Sequence, residues 1–155
     1  MKSINWTIKH FDELTTLELY NFVTLREEIF IVEQQCIFLD ADGLDTMSHH
    51  LLAYEDSNLI AYLRIVPPNS AYNEVSLGRI VVKQSHRSLG IGKELVKKGI
   101  EAIIDIYGHC TIRIAAQTYL DKFYTMLGFT SIEEPFILDG IPHQYMIITT
   151  THCKQ

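Results

Sequence analysis

Cysteine is scarce in this 155-residue chain. There are three, at positions 36, 110 and 153, an odd number with no CxxC pair. That argues against a disulfide framework or a zinc site and suits a reduced, cytoplasmic protein. No apolar run approaches the roughly 18 residues of a membrane span. The opening "MKSINWTIKH" has one early lysine but no apolar stretch or cleavage site, so it does not read as a secretion signal. Positive charge is also short. Thirteen Lys and Arg face nineteen Asp and Glu, for a formal net charge of −6, which disfavours bulk binding to nucleic acid or an acidic membrane. Repeats and low-complexity linkers are absent. What is present is a 47% apolar composition, enough for one domain with a real core over residues 1–155.

The segment 4–9 alternates, with Ile4, Trp6 and Ile8 on one face, and predicts a strand. Thr15-x-x-Glu18 is a candidate capping box opening a helix over 17–30. Residues 40–45, "DADGLD", form a polar loop. It looks like a calcium loop but lacks the third ligand before glycine and the closing glutamate. Strands are expected at 50–54 and 59–66, joined as a hairpin by 55–58, and Pro67-Pro68 ends the second. The apolar run 75–82 suits a strand buried on both faces. Apolar residues at helical offsets from Ile91 to Tyr107 predict a helix with one core face. A strand at 111–116, a short helix at 119–127 stopped by Gly128, and a hairpin of 130–138 and 144–150 around the turn 139–142 complete the chain. The expected fold is α+β, with a mixed sheet in which the strand–helix–strand crossover of 75–116 makes one parallel pair.

The junction "HRSLGIGK" (86–93) joins that strand to that helix. Free N–H groups at a helix start favour an anion, typically phosphate. Residues 83–98 carry five cations, Lys83, Arg87, Lys93, Lys97 and Lys98, against the single carboxylate of Glu94, so positive charge gathers there. A Walker A loop is excluded, because Arg87 stands where its first glycine belongs and Glu94 follows Lys93. A dinucleotide fingerprint is excluded by Leu95 at its third glycine.

Arg87-x-x-Gly90-x-Gly92 after an apolar strand resembles the [QR]-x-x-G-x-[GA] signature of the GNAT superfamily of N-acyltransferases. "YLDKFYTMLGF" (119–129) is similar to that family's FY-GF helix, and "FIVEQ" (30–34), "LGRIVV" (77–82) and "DGIPH" (139–143) resemble the ElaA-like subfamily. The resemblance covers nearly the whole chain. It implies a GNAT domain: a central mixed, mostly antiparallel sheet with a splayed parallel pair, flanked by helices.

It also implies acetyl transfer from acetyl-CoA to an amine of a small molecule or protein, by direct attack in a ternary complex and without a metal. The pyrophosphate would lie on Arg87, Ser88, Leu89, Gly90, Ile91, Gly92 and Lys93. The pantetheine arm would lie along Ile80, Val81 and Val82, with Gln117 also on the cofactor side. Tyr124 is the implied proton donor to the leaving thiolate, and Glu33 the first candidate for the base that deprotonates the amine. His50 and His143 are alternatives for that base, and Arg26, Arg64 and Arg79 either line a pocket or pair with acids. A non-catalytic acyl-CoA sensor on the same scaffold is the alternative function. A homodimer through an exposed strand of the last hairpin is a further expectation.

Overall fold

The structure is a computed structural model that describes residues 2–151; Cys153 lies outside the described residues. Among the described residues, eight strands form one sheet in the order β1-β2-β3-β4-β5-β8-β6, with β7 also paired to β8. The strands are β1 (Ile4–His10), β2 (His49–Glu55), β3 (Asn58–Val66), β4 (Val75–Val82), β5 (Thr111–Gln117), β6 (Thr130–Ser131), β7 (Phe136–Leu138) and β8 (Ile141–Thr149). The helices are α1 (Thr16–Arg26), α2 (Ile91–Tyr107) and α3 (Asp121–Met126). Every pairing is antiparallel except β4 with β5. The mixed sheet and the parallel crossover match the expectation from sequence.

Strand alternation builds two cores on the two sheet faces. Leu51, Ala53, Ala61, Leu63 and Leu77 meet Leu95, Val96 and Ile103 of α2 on one side. Leu52, Tyr62 and Val81 meet Phe22, Leu25 and Ile29 on the other. The strand buried on both faces is β3, in which only Asn58 is exposed. Residues 75–82 were expected to fill that role, but Gly78, Arg79, Ile80 and Val82 of β4 are only half-buried, because they border the cleft described below.

Two elements end differently from the sequence reading. The helix expected over 17–30 changes pitch at Glu27 and runs as a π turn to Glu33, with the Gln34 N–H donating to the Ile29 carbonyl five residues back at 3.0 Å. Its N-cap is half of a capping box: Thr15 Oγ1 accepts from the Glu18 N–H at 3.1 Å, while the Glu18 carboxylate takes Lys9 Nζ at 2.8 Å. The strand expected over 130–138 is broken into β6 and β7 on either side of Pro135, which has no N–H to give a ladder. Asp139 and Gly140 then close the hairpin with positive φ at both positions, 51° and 77°, the geometry that suits a two-residue turn.

α3 ends as its sequence predicts. Gly128 has φ 101°. The Phe129 N–H donates to the Tyr124 carbonyl at 3.1 Å and the Gly128 N–H to the Thr125 carbonyl at 3.0 Å, a Schellman closure. That closure fixes α3, and Tyr124 with it, against the fully buried Phe129.

Candidate active site

β4 and β5 pair only at Val75–Ile112 and Ser76–Arg113, then separate. β5 stays with β8 along its whole length, from Thr111–Thr149 to Gln117–His143. β4 stays with β3 but carries a bulge, since Tyr62 opposes Val81 and Arg64 opposes Gly78. Arg79 at the bulge has φ 51°, a conformation costing on the order of 1–2 kcal/mol for a residue with a Cβ, and a bulge bends its strand. The splay opens a cleft of about 770 Å³, bordered by Ile80, Val81 and Val82 on one wall, Ala115, Ala116 and Gln117 on the other, and Phe123 and Tyr124 beside them.

At one end of the cleft the chain turns from β4 into α2. Ser88 (φ 64°) and Gly90 (φ 79°) are both left-handed. The first intrahelical bond of α2 runs from the Glu94 N–H to the Gly90 carbonyl at 3.2 Å, so the amides of Ile91, Gly92 and Lys93 precede the ladder and stand free for an anion. A Cβ built on Gly90 meets no atom within 4 Å. The protein itself therefore does not demand glycine there for space; the left-handed backbone conformation does.

Arg87, just before that turn, is already engaged. Its Nε donates to the Val82 carbonyl at 3.1 Å, and its two terminal nitrogens grip both oxygens of Glu33, one of them at 2.7 Å. This hydrogen bonding holds the Glu33 carboxyl below its ordinary value. One residue on, the Gln34 and Gln117 side-chain amides meet reciprocally at 3.4 and 3.5 Å. Glu33 and Gln34, at the end of the π turn, thus bridge to both lips of the splay.

Tyr124 is buried, its ring edge-on to Phe123 and Phe129 at 5.0 and 5.8 Å, and it borders the cleft. Burial, reinforced by Tyr119, pushes its phenol well above the usual tyrosine value, so the hydroxyl keeps its proton.

The three arginines left undecided by the sequence pair with acids. Arg26, fully buried, holds Asp40 and Asp45 at 2.8 Å each. Arg64 is bidentate on Asp42, 2.8 Å at both contacts, and reaches Asp45 at 2.9 Å. Arg79 makes an ion pair with Asp40 at 2.8 Å, out of line for a hydrogen bond, and donates to Asp42 at 3.2 Å. Burial would raise the Asp42 carboxyl, but the hydrogen bonds and charge of Arg64 outweigh it and hold it at about 2. The acidic loop 40–45 is therefore strapped onto the sheet by side chains from α1, β3 and β4, and its Asp42 and Leu44 border the cleft.

His50 belongs to this support and not to the cleft. It is fully buried and stacked on Phe22 at 4.8 Å. Its Nε2–H donates to the Asp45 carbonyl at 2.9 Å, and its Nδ1 accepts from the Tyr62 hydroxyl at 2.7 Å. His143, by contrast, borders the cleft.

The architecture and the junction meet in the comparison with known families. The model for the acetyltransferase (GNAT) domain matches residues 32–150. The chain belongs to the GNAT acetyltransferase family. Among solved GNAT structures, it is similar to an acyl-CoA N-acyltransferase from Pseudomonas aeruginosa (36% identity, TM-score 0.88, covering 92% of this chain and 98% of that one). It is equally similar in shape to Escherichia coli ElaA (32% identity, TM-score 0.88, 94% and 99%). The UPF0039 protein sll0451 of Synechocystis is 38% identical over 145 residues, 93% of this chain and 94% of that protein. An aminoglycoside 6'-N-acetyltransferase complexed with coenzyme A shares the GNAT fold at 16% identity and TM-score 0.72, covering 96% and 99%. The ElaA-like resemblance read from the sequence is thereby borne out.

Proposed function

We propose that the protein transfers an acetyl group from acetyl-CoA to an amine by direct attack while both are bound. The observation that carries this reading is the splay of β4 from β5 beside the left-handed turn at Ser88–Gly90. A slot between two strands suits an extended pantetheine arm, and the free amides at its end suit a pyrophosphate. The coenzyme A complex of the aminoglycoside enzyme on the same fold supports it.

In this reading the amides of residues 88–93 hold the pyrophosphate, with Lys93 adding charge. The backbone groups of Ile80, Val81 and Val82 that point away from β3 bond the pantetheine arm, one N–H polarising the thioester carbonyl. Gln117 borders the arm from the opposite wall. Tyr124 donates its hydroxyl proton to the departing sulfur. The sequence puts Glu33 forward as base, but both its oxygens are on Arg87, which leaves it a weak one. Its task here is to hold Arg87 until a pyrophosphate takes the guanidinium over.

The test is CoA binding by calorimetry, joined to CoA thiol release from acetyl-CoA across a panel of primary amines. Gly90→Val strains a left-handed position and puts a branched side chain where the phosphates approach, so it should abolish binding that the wild type shows. Equal binding by both proteins would refute the assignment.

A further inference from the structure

The groups able to take a proton from an amine at this cleft are few. Among the described residues, the carboxylates and imidazoles bordering it are Glu33, Asp42, Asp139 and His143. Glu33 is bidentate with Arg87. Asp42 is bidentate with Arg64 and also takes Arg79. Asp139 sits exposed at the tip of the β7–β8 turn. His143 differs from all three: it is only 8% exposed yet it borders the cleft.

The Ile141 carbonyl selects the tautomer of its neutral ring. Nδ1 lies 2.7 Å from the Ile141 carbonyl oxygen. A carbonyl can only accept, so Nδ1 carries the hydrogen and Nε2 of the neutral ring keeps a lone pair. Phe136 stacks on the ring with centroids 6.1 Å apart, the planes 27° off parallel. This is the arrangement of a positioned base, with one nitrogen anchored to backbone, an aromatic plate behind, and Nε2 making no hydrogen bond among the described residues.

Register fixes the face. His143 opposes Gln117, and Tyr145 opposes Ala115; opposed residues in a sheet project to the same side. Gln117 reaches Gln34 of the π turn from that side. Ala116, on the other side, joins the core cluster that contains Tyr124. The slot between β4 and β5 therefore has Tyr124 at one face and His143 at the opposite one.

We propose that His143 takes the proton of the acceptor amine, which enters the cleft from the face opposite Tyr124; this deepens the acetyl-CoA reading and rests on it. A neutral primary amine forms its N–C bond to the acetyl carbon and sheds a proton to His143 Nε2. The C–S bond breaks with its electron pair on sulfur, and the sulfur takes the Tyr124 hydroxyl proton. Exchange with water resets both side chains, His143 losing a proton and Tyr124 gaining one. Charged and titratable groups that share the cleft with the imidazole include Asp139, Cys36, whose thiol donates to the Asp139 carbonyl, Glu33, Arg87 and Asp42, and Tyr145 lies on the same face of β8.

Bromoacetyl-CoA tests the placement without a known acceptor. Its methylene occupies the acetyl position, and a nucleophilic nitrogen beside it displaces bromide. Mass spectrometry should find the adduct on the peptide containing His143, blocked by excess CoA and absent from His143→Gln, which should still bind CoA and melt cooperatively. With any amine that the wild type acetylates, His143→Ala should lose ~10²-fold in turnover and regain part of it when free imidazole is added. A purely structural histidine would not show that rescue. Binding of bromoacetyl-CoA with no adduct, an adduct on Glu33 or Cys36 instead, or turnover by His143→Ala within threefold of wild type overturns the proposal. Failure of the wild type to bind CoA at all overturns the acetyl-CoA reading, and this one with it.

Discussion

Glu33→Gln should tighten the binding of CoA. Arg87 immediately precedes residues 88–93, proposed to hold the pyrophosphate, and in the structure its guanidinium is taken by Glu33. A pyrophosphate on residues 88–93 competes with that carboxylate for the same planar fork of donors. The ion pair must then be broken as the cofactor binds, and its strength is subtracted from the affinity. The Glu33 and Arg87 side chains are 35% and 40% exposed, so the pair belongs with surface salt bridges, worth about 0.2–1 kcal/mol. Glutamine keeps the size of the side chain and removes the charge. The dissociation constant for CoA should fall roughly 1.4- to 5-fold, toward the upper figure because the contact is bidentate.

Calorimetry of CoA against both proteins at low salt measures this. The advantage should shrink in 0.5 M salt as the competing charges are screened. Pantetheine, which has no pyrophosphate, serves as the control and should bind both proteins alike. If Glu33→Gln binds CoA no tighter than wild type, Arg87 stays with Glu33 in the complex and the competition argument is wrong. If it binds both CoA and pantetheine more weakly, Glu33 supports the cleft wall instead.

Two further outcomes follow from the same structure. Tyr124→Phe keeps the ring between Phe123 and Phe129 and deletes only the donor, so turnover with an active amine should drop ~10²-fold while calorimetry shows unchanged CoA affinity. His50 is held neutral, burial pushing it to about 4 against the pull of the Asp45 carbonyl and carboxylate, whereas an unfolded histidine titrates near ~6.5. Because the folded value is the lower one, its contribution to stability is complete above the unfolded value and is lost as pH falls toward about 4, at about 1.4 kcal/mol per pH unit. Urea unfolding across that window should show a shallower loss in His50→Gln than in wild type, and equal slopes would count against the buried neutral ring.

What the sequence made legible was what is encoded locally. The left-handed Gly90 and the start of α2 follow from a glycine next to an amphipathic run, and the Schellman end of α3 follows from Gly128 after "FYTML". The parallel crossover followed from element order. The π turn at Glu27–Glu33 left no such mark, because its apolar residues continue the spacing of α1 and only the hydrogen-bond step changes. The arginine–aspartate strap was also out of reach. Arg26, Arg64 and Arg79 stand 14, 22 and 39 residues from partners in the acidic loop, and nothing local distinguishes a cation that will meet a buried carboxylate from one that will stay in water.

That strap explains why an acidic loop borders a site proposed to take a cationic or basic acceptor without serving as its base. Left unpaired, Asp40, Asp42 and Asp45 would offer three carboxylates to any amine nearby. Paired with three guanidiniums, two of them almost wholly buried, they are already engaged, and a carboxylate kept at about 2, as Asp42 is, has almost no pull on a proton near neutral pH. Breaking such a pair by removing one partner costs far more than the intact pair contributes, so the loop keeps its shape as a wall. In the proposed reaction the proton chemistry then falls to groups outside the strap, Tyr124 on one face of the splay and His143 on the other. The same strap holds the bulge. Arg79 tolerates its left-handed backbone because Asp40 and Asp42 fix its side chain, and that bulge bends β4 away from β5 where the cleft begins.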